Sequence, residues 1–123
     1  AVKWYQKAAD QGFAQAQTGL GFQYHEGEGV EQDFKEAVKW YQKAADQGFA
    51  QAQINLGVMH GIGEGVEQDY VTAYTWYNIA AAKGDAQAAT LKDNTAKQLT
   101  PDQIAKAEEL VKEMVKKNPK LLK

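Results

Sequence analysis

With 123 residues, a net charge of −2 and a hydrophobic content of 44%, the chain has the size and composition of an ordered domain. It contains no cysteine, so it can form neither a disulfide framework nor a thiolate metal site. All 14 basic residues are lysine, which argues against nucleic-acid binding, because arginine is the usual reader of phosphate and guanine. No apolar run approaches the roughly 18 residues of a membrane span.

The stretch from Ala1 to Gln17 recurs unchanged from Ala37 to Gln53, and a worn third copy opens at Ala73. Trp4, Trp40 and Trp76 keep a 36-residue period, which marks a solenoid of stacked repeats. The chain opens inside a repeat and without methionine, so it reads as a fragment or a processed form whose missing start could hold a targeting signal.

Helices are expected near 1–11, 13–26, 33–47, 49–61, 69–83, 85–98 and 101–118. In the second copy Ala37, Val38, Trp40, Tyr41, Ala44 and Ala45 fall on one apolar stripe, with Lys39, Gln42, Lys43 and Asp46 on the wet side. Gly12, Gly48 and Gly84 close their helices. Gly21 and Gly57 lie inside helices, where glycine costs roughly 1 kcal/mol against alanine. Close approach of a neighbouring helix is the expected compensation.

The turn Gly-Glu-Gly-Val-Glu-Gln-Asp occurs at Gly27–Asp33 and again at Gly63–Asp69. Val30 and Val66 should plug the gap between helices, and Asp33 and Asp69 should cap the helices that follow. A phosphate loop would need a preceding strand and a Gly-Lys-Ser/Thr ending, and the sequence has neither. The third copy loses this turn, and Lys92 stands at the position of Leu20 and Leu56. Asp85 caps the next helix. Thr100, Pro101 and Gln103 then form a strong start signal for a last helix with Ile104, Ala107, Leu110, Val111, Met114 and Val115 on one face. Asn118-Pro119 ends it. In the preceding helix the wet positions Lys39, Lys43 and Asp46 have become Thr75, Ile79 and Ala82. Leu110 and Met114 are expected to pack near that stripe.

The repeated residues carry a family resemblance. Ala16, Gln17, Leu20, Gly21, Tyr24, Gly27, Gly29, Val30, Asp33, Ala37, Trp40, Tyr41, Lys43, Ala44, Ala45 and Gly48 resemble the Sel-one-like repeat (SLR) family, a cousin of the tetratricopeptide repeat. The second full copy keeps the set, with His60 in place of Tyr24 and Ile79 in place of Lys43. The resemblance implies an all-α, right-handed superhelix of antiparallel helix pairs with a C-terminal capping helix. It divides the chain into an array over 1–99 and a capping helix and tail over 100–123. It also implies a protein-binding scaffold whose first helix in each pair lines a concave face, and it favours export over a cytoplasmic location. With no serine present, the penicillin-binding chemistry linked to some relatives has no Ser-x-x-Lys nucleophile here.

The two full copies differ at 18, 19, 22–26 and 34–36. Most of the first group shares one helical stripe, which the resemblance places on the concave face. The ligand-binding candidates are therefore Thr18, Phe22, His25, Glu26, Ile54, Asn55, Val58 and Ile62. Ile54, Val58 and Ile62 would form an exposed apolar ridge suited to a peptide, unless Val58 and Ile62 simply pack against the next helix. By resemblance, Asn55 holds a peptide backbone. His25 beside Glu26 lacks the convergent ligands a metal site needs, and His60 reads as an interior histidine. No catalytic residue, metal or cofactor is expected. The expected partner is a protein or peptide, with an oligomerising segment of a longer array as the alternative. Self-association through the uncapped N-terminal edge, at Trp4, Tyr5 and Ala8, is a further expectation.

Overall fold

The computed structural model describes residues 2–123, and side chains from Lys3 onward. Ala1, where the first expected helix begins, lies outside the described residues. The architecture is seven α-helices and no strand among the described residues: α1 Val2–Asp10, α2 Ala14–Glu26, α3 Phe34–Asp46, α4 Ala50–Ile62, α5 Tyr70–Ala82, α6 Ala86–Ala96 and α7 Pro101–Lys117. Consecutive helices from α1 to α6 pack pairwise, giving the superhelical solenoid expected from the repeat. Several expected helix ends proved to be caps. Asp33 accepts a hydrogen bond from the Glu36 amide at 3.1 Å, Asp85 from that of Ala88 at 2.9 Å, and Thr100 with Gln103 forms a reciprocal capping box.

The core follows the repeat. Ala37, Tyr41, Ala44, Ala45, Ala52, Leu56, Met59 and Trp76 form one buried cluster, and Trp40 joins Ala9, Ala16 and Leu20 in another. The glycines inside α2 and α4 are explained by this packing. A Cβ on Gly21 would lie 2.7 Å from the Tyr41 ring, and one on Gly57 would lie 2.6 Å from the Tyr77 ring. No real contact of that kind is tolerated, so the helix-propensity loss is offset by seating a tyrosine against bare backbone.

Helix α7 lies along α5. Ile79 is fully buried, in a cluster against which Val111, Met114 and Val115 pack. Thr75 is buried beside it, whereas Ala82 stays exposed and Leu110 is half-buried. After α7 the sequence suggests only a stop, but the structure docks the tail. Pro119–Leu122 makes a 3-10 turn that returns to α3 and α5 and buries Leu121 in the main cluster.

The cap of α5 carries a pH dependence. Burial pushes the Asp69 carboxyl up, but hydrogen bonds from the Thr72 hydroxyl and the Thr72 and Val71 amides, with His60 nearby, outweigh it and hold the value below the ordinary 3.8. Burial holds His60 below its ordinary 6.5, with Asp69 opposing. Both groups bind fewer protons in the folded chain than in the unfolded one, so stability rises with pH through both windows. The His60 contribution is present above 6.5 and is lost as the pH falls through its lower folded value. The Asp69 contribution is lost in the same way below 3.8. The melting temperature should therefore drop between about pH 7 and about pH 5, and less so in His60→Tyr, which restores the first copy's residue. Equal slopes for the two proteins would show that His60 carries none of the effect.

Candidate peptide-binding face

Phe22, His25 and Glu26 on α2, with Asn55 and Val58 on α4, line a hollow of about 140 Å³ together with Tyr41 and Met59. Part of the stripe of positions that vary between the copies thus lines one spot. Phe22 is 46% exposed at its rim. The Asn55 side-chain oxygen accepts from Gln51 Nε2 at 2.9 Å. The Tyr41 hydroxyl is pushed up to about 12 by burial, with the Glu26 charge adding to the rise and a hydrogen bond from the Asn55 side chain opposing it. It stays a neutral donor and acceptor at any physiological pH.

His25 is held by carboxylates. Its Nε2 lies 2.9 Å from Glu64 Oε1, and its Nδ1 lies 3.4 Å from Glu26. Its ring also packs against that of Phe34 at 5.3 Å. His25 therefore ties α2 to the turn that follows α4. Among the described residues no group of three or more His, Cys, Asp or Glu side chains is placed to hold a metal ion.

Three of the expected site residues sit elsewhere. Thr18 is buried, and its hydroxyl is spent on the Ala14 carbonyl at 2.8 Å. Ile54 is 1% exposed and packs with Ala80 and Ala88, whose small side chains on α5 and α6 leave room for it. The exposed ridge of Ile54, Val58 and Ile62 therefore does not form. Val58 is half-buried in the hollow, and Ile62, 60% exposed, stands apart from the hollow's lining. Sequence reasoning missed Tyr41 and Met59. Tyr41 sits on the apolar stripe that reads as core and Met59 lies off the varying stripe, and each is buried while still lining the hollow.

A family model, the Sel1 repeat, matches residues 1–13, 14–49 and 50–85. The chain belongs to the Sel1 repeat family. Its two full Sel1 units are α2 with α3 and α4 with α5. The fold is similar to the crystal structure of a protective antigen present in uropathogenic Escherichia coli strains displaying an SLR fold. The two share 37% identity and a TM-score of 0.93 over 99% of this chain and 27% of that one. It is also similar to a Sel1 repeat protein from Oxalobacter formigenes, at 46% identity and a TM-score of 0.67 over 71% of this chain and 36% of that one. The chain thus spans between about a quarter and about a third of those proteins' lengths. No curated protein matches it. Sel1 repeat proteins are generally protein-interaction scaffolds, and Sel1 and SLR proteins are typically non-catalytic. No helix is long and apolar enough to cross a membrane among the described residues.

Proposed function

We propose that this Sel1 array is a non-catalytic scaffold that binds a protein or peptide on the face formed by α2 and α4. The observation that supports this reading is the hollow where Phe22 and Val58 offer apolar surface beside the polar groups of Asn55, Tyr41 and Glu26. One aliphatic side chain of an extended ligand fits such a space, and Asn55 stands where it could bond the ligand backbone. Selection of peptides from a displayed library against the whole chain tests the reading. Binders are expected to lose about tenfold or more in affinity to Phe22→Ala, whose exposed ring can be removed without unfolding the chain. Binders indifferent to Phe22→Ala and to Val58→Ala would place the ligand elsewhere.

A second reading, self-association, has its own observation. Trp4 is 69% exposed and Phe13 60%, and with Tyr5, Ala8 and Gly19 they line a hollow of about 760 Å³. The equivalent Trp40 is covered by α1 and α2. An apolar opening of this kind favours another helical face against it, and mass rising with concentration in sedimentation would support that use.

A further inference from the structure

The corner between α3 and α4 is filled by the chain's own tail, and the corner between α1 and α2 has the same sequence. Asp10–Gln17 repeats residue for residue as Asp46–Gln53. At the filled corner Asn118 Nδ2 donates to the Asp46 carbonyl at 2.7 Å, and Gln53 Nε2 donates to the Leu121 carbonyl at 3.0 Å. Gly48 is buried there because the Lys120 carbonyl lies against the place its Cβ would take. At the other corner Gly12 is exposed, and a Cβ on it would meet nothing within 4 Å.

The glutamines carry the comparison further. Gln17 Nε2 donates to the Ala9 carbonyl at 3.2 Å, as Gln53 Nε2 does to that of Ala45 at 3.1 Å. A primary amide has two N–H donors. Gln53 spends its second on Leu121, whereas Gln17 makes only the first bond among the described residues, although it is 4% exposed. Its orientation is fixed, since Gln47 Nε2 donates to Gln17 Oε1 at 2.8 Å. A spare donor on a buried, oriented amide is a place for an acceptor to bind. The third corner has lost this chemistry, with Asp85 after Gly84 and Ala89 at the glutamine position.

We propose that the α1–α2 corner docks a short segment of another protein that has the form of this chain's tail. That form is a proline-started single turn with a leucine two residues after the proline, which delivers a backbone carbonyl to Gln17. The site lies apart from the face formed by α2 and α4 and does not depend on it. A second copy's tail is the poorer occupant, because each tail is already held in its own chain at the high effective concentration that linkage provides. Lys43 is the repeat equivalent of Ile79, which shares the cluster that takes Leu121, so the open corner is the weaker of the two.

The probe is an acetylated hexapeptide with the sequence of residues 118–123, titrated into the isotopically labelled whole chain. Saturable shifts are expected at the Gly12 amide and the Gln17 and Gln47 side-chain amides. Alanine in place of Leu121 should weaken the peptide by about tenfold or more. Gly12→Ala should block it, and if that variant fails to fold the alanine peptide still decides. Equal affinity of the two peptides, shifts at Gly48 and Gln53 in place of Gly12 and Gln17, or no saturation at millimolar peptide would overturn the proposal. So would self-association of the whole chain that disappears when the tail is removed, because it would give the corner to a second copy.

Discussion

Trp40→Ala should lower the free energy of unfolding by roughly 3–5 kcal/mol, the cost of truncating a large aromatic in a core. Trp40 is 4% exposed and packs with Ala9, Ala16 and Leu20, so its loss opens a cavity between two helix pairs. In a solenoid that interface is where neighbouring repeats couple. Lys43 lies 4.6 Å and Lys39 5.2 Å from the ring centroid, and such cation–π contacts add about 0.5–1 kcal/mol each at exposed sites. The indole Nε1 is buried without a partner, so Trp40→Phe gives up no hydrogen bond and should cost much less than Trp40→Ala. Trp4 is the internal control. It has the same sequence context but is 69% exposed, and Trp4→Ala should cost under about 1 kcal/mol. Urea melts followed by circular dichroism measure all three. Equal losses for Trp40→Ala and Trp4→Ala would mean that the repeats do not stack as described.

That contrast also shows where the sequence was legible. An apolar stripe repeated at a fixed period can be satisfied only by helices stacked on their neighbours, so the helices, the glycine contacts at Gly21 and Gly57 and the capping role of α7 could be read directly. The face formed by α2 and α4 was legible in part. Phe22, His25, Glu26, Asn55 and Val58 converge because positions that vary on a common frame share one helix stripe. Thr18 and Ile54 share it too, but both are buried, and Ala80 and Ala88 give Ile54 a pocket that helix periodicity does not encode. The docked tail was not legible at all. Nothing in Asn118-Pro119-Lys120-Leu121-Leu122 indicates which leucine is buried, and its partners, the Asp46 carbonyl that accepts from Asn118 and the Gln53 amide that donates to Leu121, belong to a corner about 70 residues earlier.

The tail gives the second large effect. Leu121→Ala should cost roughly 2–5 kcal/mol, as burial of a leucine in a closed core predicts. Leu121 is 2% exposed in the cluster that holds Ala45, Leu56 and Ile79. Leu122 is 42% exposed, and Leu122→Ala should stay within about 0.5 kcal/mol. The two adjacent leucines therefore separate docking from general hydrophobicity. Deleting residues 118–123 removes more than the side chain. Gln53 is fully buried, its Oε1 already has no partner, and loss of the Leu121 carbonyl leaves one of its N–H groups unpaired as well. An unsatisfied buried donor costs about 1–3 kcal/mol unless water enters. The shortened chain should therefore lose at least as much as Leu121→Ala, with faster amide exchange around the α3–α4 corner. Adding the free hexapeptide should restore part of the melting temperature by mass action, since it binds only the folded chain. Indistinguishable stabilities for Leu121→Ala and Leu122→Ala would show that the tail is not seated in solution.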